Sequence, residues 1–380
     1  MIKHFLKIFL EDAAMIRTTY AVINLNAVAH NVEQVRKAAP NSKLMAVIKA
    51  NAYGHGLVRM AKSLDGLVEG FAVARVQEGI SLRNAGLWQR VVVLEGFTHR
   101  EEVFDLIEYD LEASFHSHHQ LDVLQHAHRP MPLKIWLKID TGMNRLGFKA
   151  DEIALLHEKL TTNEMIKKPL HFMTHFANAD DIYDSKTSEQ IALFKKLTRN
   201  YEGEKSMANS AGILAWQDSQ TDWVRAGIML YGISPFPNST GKELNLIPIM
   251  SLHSRLISVR EIAAGETVGY SGTWISERAT KLGVIAVGYG DGYPRYAKNG
   301  TPVLVNGERV SLVGRVSMDM ITVDLGLNSK AKAGDSVTLW GEDLPIEEIA
   351  QCANTIPYTL TCGVTPRVEI IEAKHPNPLF

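Results

Sequence analysis

The sequence predicts an α/β protein in which a (β/α)8 TIM-like barrel is followed by a mostly β C-terminal domain. Three observations carry this. Between Lys43 and about Leu230, short apolar runs alternate with amphipathic stretches. Eight such strand–helix repeats in about 190 residues suit a closed parallel barrel better than an open sheet. After about Ile247 the texture changes to short apolar runs separated by turn signals.

A strand from Thr19 to Leu25 and a helix from Asn26 to Ala39 are expected to lead into the barrel. Its strands are then expected at 43–49 (KLMAVIK), 70–74 (GFAVA), 91–94 (VVVL), 111–114 (LEAS), 133–139 (LKIWLKI), 170–174 (LHFMT), 205–208 (KSMA) and 222–225 (DWVR). Helices are expected at 75–85, 100–108, 118–128, 151–160 and 186–200, where apolar residues recur at three- and four-residue spacing, as in Leu121, Leu124 and Ala127. In the second half, turns are read at Ala264-Gly265, Gly290-Asp291-Gly292, Asn306-Gly307 and Ala333-Gly334. Asn-Gly between alternating apolar residues is a strong hairpin signal. The expected division is a segment at 1–14, a barrel with its leading strand and helix at 15–246, and the β-rich domain at 247–380.

Composition narrows the function. Forty Lys+Arg stand against 42 Asp+Glu, a formal net charge of -2 over 380 residues. No basic field exists to steer nucleic acid, so a small metabolite is the better ligand. Two cysteines, Cys352 and Cys362, do not make a disulfide scaffold, and reduced thiols in a cytoplasmic protein are the plainer reading. No apolar run approaches the ~20 residues of a membrane span. Residues 1–14 (MIKHFLKIFLEDAA) faintly suggest a secretory signal, but Lys7 interrupts the apolar stretch. An extra segment or early start before Met15 is preferred to export.

The first barrel strand ends in Lys49 and continues as ANAYGHG. A lysine closing an apolar strand must be paired or lose its charge when buried. Catalytic residues of barrels sit at this end of the strands. A desolvated lysine has a depressed pKa and attacks carbonyls to form a Schiff base. The run 46–56, AVIKANAYGHG, resembles the cofactor-lysine motif of alanine racemases. Further motifs follow in the order that family has them: Asp140-Thr141-Gly142-Met143-Asn144-Arg145-Leu146-Gly147, Thr174-His175-Phe176-Ala177, Asn209-Ser210, Val224-Arg225-Ala226-Gly227, Val268-Gly269-Tyr270-Ser271-Gly272-Thr273-Trp274 and Gly314-Arg315-Val316-Ser317-Met318-Asp319. The resemblance covers residues 15–371.

The resemblance implies pyridoxal 5'-phosphate as cofactor, alanine as substrate and a homodimer with shared active sites. Lys49 and Tyr270, the latter from the partner subunit, would be the two acid–base groups, one on each face of the substrate. A phenol with a pKa near ~10 is a poor base, and positive charge from His175 and Arg225 would bring it closer to working range. Arg225 would face the ring nitrogen with His175 behind it. Since a guanidinium does not readily give up a proton, the ring would stay largely unprotonated and transamination would be limited.

Barrel enzymes often bind phosphate after strands seven and eight. Asn209, Ser210, Gly227 and Ile228 lie there, and Tyr53 joins them by resemblance. Arg145 would lie near the cofactor's phenolic oxygen and the substrate carboxylate, which the backbone of Met318, with Asp319 beside it, would also contact. Lys138 matches a lysine that relatives carry as a carbamate, with an ordinary ion pair as the alternative. Asp180, Tyr289, Arg295 and Arg315 would line the way in. Pro366 stands where several relatives have tyrosine, and Ser317 where some have cysteine.

Two tempting motifs are read as structural. His116, His118, His119, His126 and His128 lack the spacing of a metal site, so none is expected. Gly288-Tyr289-Gly290-Asp291-Gly292 is read as a turn carrying Tyr289, because no strand–loop–helix unit follows. The role implied is D-alanine supply for peptidoglycan or D-alanine catabolism. Three other readings stay open: a broad-specificity amino-acid racemase of the same fold, a non-catalytic barrel that carries the cofactor, and a related-fold decarboxylase.

Overall fold

The computed structural model describes residues 18–127 and 131–373, so the expectations for residues 1–14 and for His128 lie outside the described residues. Two compact units form, Ala27–Leu246 and a second that joins residues 18–26 to 247–373.

In the first unit eight strands close a parallel barrel: β2 (Lys43–Val47), β3 (Gly70–Val73), β4 (Arg90–Val93), β5 (Glu112–Phe115), β6 (Ile135–Lys138), β7 (His171–Met173), β8 (Lys205–Ser206) and β9 (Trp223–Ala226). Closure comes from β2 and β9, with Lys43 opposite Trp223 and Ala46 opposite Ala226. Every residue of β3, β5, β6 and β9 is buried, which is the near-continuous apolar texture of a parallel sheet covered on both faces.

The surrounding helices bury one stripe each. The helix Val76–Asn84 buries Val76, Gly79, Leu82 and Arg83. Arg83 donates to the carbonyls of Leu87, Gln89, Tyr109 and Asp110, so four of its five N–H groups are satisfied where it is buried. The helix Arg100–Glu108 carries Glu101 and Glu102 in its first turn, where acidic charge suits the helix dipole. Lys186–Thr198 buries Thr187, Gln190, Ile191, Phe194 and Thr198. The helix Leu57–Leu64, which buries Met60, Ala61 and Leu64, was not anticipated.

The N-terminal ends of the barrel strands hold a compensated charge cluster. Arg90 donates from Nε to Glu112 at 2.6 Å, from Nη1 to Glu204, and from Nη2 to His171 at 2.8 Å. Its guanidinium lies over the rings of Trp136 and Trp223. Trp136 Nε1 donates to the other oxygen of Glu112, and Lys43 pairs with Glu204. Each carboxylate therefore faces a cation within hydrogen-bond reach, the condition under which buried charge is tolerated.

The second unit holds an eight-stranded sheet in the order β13 (Thr280–Ile285), β16 (Ile321–Asp324), β15 (Glu308–Leu312), β14 (Pro302–Val305), β17 (Ser336–Trp340), β10 (Met250–Ile262), β1 (Tyr20–Ile23) and β18 (Glu369–Glu372), with β10 also pairing with β13. Two further short strands, β11 (Thr267–Val268) and β12 (Trp274–Ile275), pair antiparallel with each other. Asn306 and Gly307 join β14 to β15 with φ of 51° and 82°, the left-handed pair that a two-residue hairpin requires.

One expectation is corrected here. The leading strand β1 does not accompany the barrel: it pairs antiparallel with β10 and parallel with β18. Local sequence carries no information on a partner more than two hundred residues away. Two short helices, Ile346–Cys352 and Pro357–Gly363, also interrupt the β texture. Among the described residues no helix is long and apolar enough to cross a membrane.

Burial holds the imidazoles of His55 and His253 at about 4. A histidine whose folded-state value is depressed contributes stability that is present above ~6.5 and lost as pH falls through about 4. For the fully buried His55 the contribution is about 3 kcal/mol. Urea unfolding should therefore show falling stability between pH 6.5 and 4, and His253→Gln should flatten the slope. An unchanged slope in the variant would exclude His253 as a contributor.

Candidate active site

The end of β2 sets the site. The ladder stops at Val47, Ile48 N still donates to Ala72 O, and Lys49 follows half-buried. The chain then reverses hand. Ala50, Asn51, Ala52 and Tyr53 have φ of 53°, 54°, 53° and 53°, one turn of left-handed helix. Left-handed backbone costs roughly 1–2 kcal/mol per non-glycine residue, so the surroundings must hold it. Glu78 Oε1 accepts from Ala50 N at 2.8 Å, and Asn51 Oδ1 accepts from Leu57 N at 2.9 Å. His55 Nδ1 lies 3.1 and 3.0 Å from the carbonyls of Ala52 and Tyr53. Tyr231 packs on both Tyr53 and His55 and donates to Val47 O.

The other expected barrel residues lie at or just past the same ends of their strands. Lys138 is the last residue of β6, Arg145 lies on the loop after it, and His175 follows β7. Asn209 and Ser210 follow β8, Arg225 lies within β9, and Gly227 and Ile228 follow β9. Arg225 is 4% exposed. Its Nη1 donates to Ser206 Oγ at 2.6 Å, and Nη2 to Thr174 O at 2.5 Å and Met207 O at 3.2 Å. Nη2 also lies 3.4 Å from His175 Nδ1. Burial lowers this guanidinium to about 10, which still leaves it charged at neutral pH. Its acceptors are all neutral, and Nε has no protein partner among the described residues.

That cation sets the electrostatics of its neighbours. Burial lowers Lys138 to about 7, with Arg225, Arg145 and Lys49 adding repulsion and Asp140 opposing it. Burial, then Arg225, Lys138, Arg145 and Lys49, hold His175 well below its ordinary value, so it is neutral and does not carry the positive charge expected of it. Burial is also the main cause that lowers Lys49, followed by Arg145. The mouth of the barrel is thus a cluster of cations suited to an anionic ligand.

Ser210 Oγ accepts from Gly227 N at 3.0 Å and Met229 N at 3.4 Å, which leaves its hydroxyl proton free to be donated. A Cβ at Gly227 would lie 2.7 Å from Tyr53 Oη, so only glycine lets that hydroxyl approach the backbone. Two hydroxyls and close backbone amides at one spot fit a phosphate. Asn209 does a different job: its Oδ1 accepts from Gly212 N and caps the helix Ser210–Ala215.

Several residues of this neighbourhood were not singled out from sequence. Gln190, fully buried, donates to Thr141 Oγ1 and His175 O and accepts from Ala177 N. The hydroxyls of Thr141 and Thr174 lie 2.8 Å apart. A glutamine on the apolar stripe of its helix was the available signal. Asp140 accepts from the amides of Gly142 and Asn144, which shapes the loop leading to Arg145.

The second unit holds the remaining expected residues except Asp180. Tyr270 opens a short 3-10 turn and is 67% exposed; Met318 is 53% exposed. Arg315 donates to Ser271 Oγ beside Tyr270. Asp319 accepts from Arg367, whose Nε also faces Asp291. Tyr289 sits on a 3-10 turn in which Tyr289 N donates to Ser317 O and Gly290 N to Met318 O. Arg295 lies over the Tyr289 ring. Pro366 lies between Thr365, which donates to Gly290 O and Asp291 O, and Arg367. Asp180 is an exposed loop residue after β7.

The histidine run is held as surface structure. His118 contacts Glu152, His119 contacts Thr98 O, His116 contacts Glu95 O and His126 contacts Asp122 O.

Comparison with known proteins places this geometry. Residues 23–235 match the alanine racemase N-terminal domain and residues 249–372 the alanine racemase C-terminal domain. The chain is 50% identical over 352 residues to an alanine racemase of Aeromonas hydrophila, covering 93% of this chain and 98% of that protein. It is 48% identical over 350 residues to one of Vibrio cholerae, covering 92% and 97%. Among solved structures, the biosynthetic alanine racemase of Pseudomonas aeruginosa matches with a TM-score of 0.91 at 40% identity, covering 94% of this chain and 100% of that one. The alanine racemase of Bartonella henselae, described with covalently bound pyridoxal phosphate, matches with a TM-score of 0.84 at 30% identity, covering 94% and 100%. With both domains matched and the barrel closed around Lys49, this chain belongs to the alanine racemase family of enzymes.

Proposed function

We propose that this chain interconverts L- and D-alanine with pyridoxal phosphate held on Lys49, using Lys49 and the partner subunit's Tyr270 as two acid–base groups on opposite faces of the substrate. The observation that supports this best is the half-buried Lys49, whose amine is pressed toward its neutral form by burial and Arg145 beside a built anion cradle. When bound, the cofactor supplies a carbonyl for an amine and an electron-accepting ring that acidifies the α-carbon.

The protein does the rest. Ser210, Tyr53 and the backbone at Gly227 and Ile228 hold the phosphate. Arg225 offers its unused Nε to the ring nitrogen, where it orients without giving up a proton, and neutral His175 supplies none. Arg145 and the backbone of Met318, with Asp319 beside it, hold the substrate carboxylate. Lys49 Nζ holds and returns a proton on one face and Tyr270 Oη on the other. The 67% exposure of Tyr270 fits a residue offered to a second copy. Asp180, Tyr289, Arg295 and Arg315 line the approach. A second, β-rich unit bearing Tyr270 also sets the chain apart from a barrel that merely carries the cofactor.

Borohydride treatment of the purified protein should abolish the cofactor's absorbance band and leave a pyridoxyl label on Lys49; a label elsewhere overturns the assignment. Tyr270→Phe should lose α-proton exchange from one alanine enantiomer, and mixing it with Lys49→Ala subunits should restore activity through hybrid dimers. Equal exchange in both directions by Tyr270→Phe would refute the two-base reading. Arg225→Glu should raise transamination relative to racemisation, and an unchanged ratio would count against the role given to Arg225.

Lys138 completes the proposal. Held at about 7, its amine is substantially neutral near neutral pH and can add carbon dioxide to become a carbamate. The product would turn a repelled cation into an anionic partner for Arg145. A carbamate carbon resonance should grow in with labelled bicarbonate and be missing from Lys138→Ala. Identical spectra from the two proteins would rule it out.

A further inference from the structure

We infer that Glu78 is a positioning residue for Lys49, clamping the peptide that follows the lysine to the end of the neighbouring strand β3. The inference deepens the proposed role of Lys49 and rests on it.

Glu78 lies in the first turn of the helix after β3 and does two jobs with two oxygens. Oε2 accepts from the amides of Ala74 at 2.8 Å and Arg75 at 3.2 Å, the ordinary work of a helix N-terminus. Oε1 turns away from that cap and accepts from Ala50 N at 2.8 Å, twenty-eight positions back in the chain. Ala50 is the first residue of the left-handed turn. The peptide before Lys49 is held through Ile48 O, which accepts from Ala52 N at 2.9 Å. The peptide after it is held through Ala50 N and Glu78. With both planes fixed, the Cα–Cβ bond of Lys49 has one direction, and reaction geometry is sensitive to displacements of about 1 Å.

The same carboxylate acts on the charge of Lys49. Arg145, Arg225, Lys138 and His175 share its surroundings, and the two arginines favour the neutral amine. Glu78 and Glu95 are the carboxylates that favour its ammonium form. Glu78 therefore fixes where the amine points and restrains how readily it loses its proton.

The test uses Glu78→Gln and Glu78→Asp in the full-length protein. In protein stripped of cofactor, trace acylation across pH with peptide mapping reports the titration of Lys49. Glu78→Gln removes the negative charge, and the Lys49 titration should move to lower pH. Glu78→Asp keeps the charge and the acceptor for the cap but is one methylene too short to hold Ala50 N. Its rate of cofactor rebinding should fall about tenfold or more, with an unfolding midpoint near that of the parent protein. A Lys49 titration and a rebinding rate that both match the parent in both variants would overturn the inference and leave Glu78 as a helix cap only. If the parent protein itself takes no borohydride label on Lys49, the proposed role of the lysine fails. The acylation measurement needs no cofactor and still reads the effect of Glu78 on Lys49.

Discussion

A guanidinium buried without a carboxylate beside it organises the mouth of this barrel. Arg225 is satisfied by the hydroxyl of Ser206, the carbonyls of Thr174 and Met207 and the ring of His175. These acceptors come from β8 and from the chain just past β7 and β8, so one side chain laces neighbouring strand ends together. Its charge is left unneutralised, and that excess radiates to Lys49, Lys138 and His175. Buried polar networks are stable when every donor is used. Here four acceptors take up Nη1 and Nη2.

The opposite end of the same barrel treats an arginine differently. Arg90 meets two carboxylates and a histidine and lies over two tryptophans. The resulting cluster is internally balanced and has no need of a ligand. One chemical group thus seals one end of the barrel and activates the other, and the difference lies in whether acids are supplied. This matches the general division of barrels into a stabilising face and a reacting face.

Much of this was legible in the primary structure because it is local. Alternation of apolar runs and helical spacing located all eight barrel strands within a few residues, and Asn306-Gly307 marked a hairpin that needs two left-handed residues. What escaped is non-local. Nothing near Tyr20 reveals that it faces His253 and Glu369 across a sheet. Ala50 and Ala52 have no preference for left-handed backbone; that turn is held by Glu78 from outside and by the side chains of Asn51 and His55 within and just after it. The mutual repulsion of Lys49, Lys138 and Arg225 needs the ends of three strands gathered at one mouth of the closed barrel before it exists. The residues of the reacting mouth were recognisable from motif resemblance, whereas Gln190 and Glu78, which hold the scaffold around it, belong to no quoted motif.

The placement of β1 has a consequence for how the chain is made. The sheet that contains it is interrupted in sequence by the whole of Ala27–Leu246. On a ribosome, the barrel emerges entire while Tyr20–Ile23 still waits for Met250–Ile262 on one side and for Glu369–Glu372 on the other. One domain is therefore free to fold during translation, and the other is completed only after Glu369–Glu372 has been made. Until then a strand with apolar Ala21 and Ile23 on its inner face stays unpaired ahead of the barrel in the nascent chain.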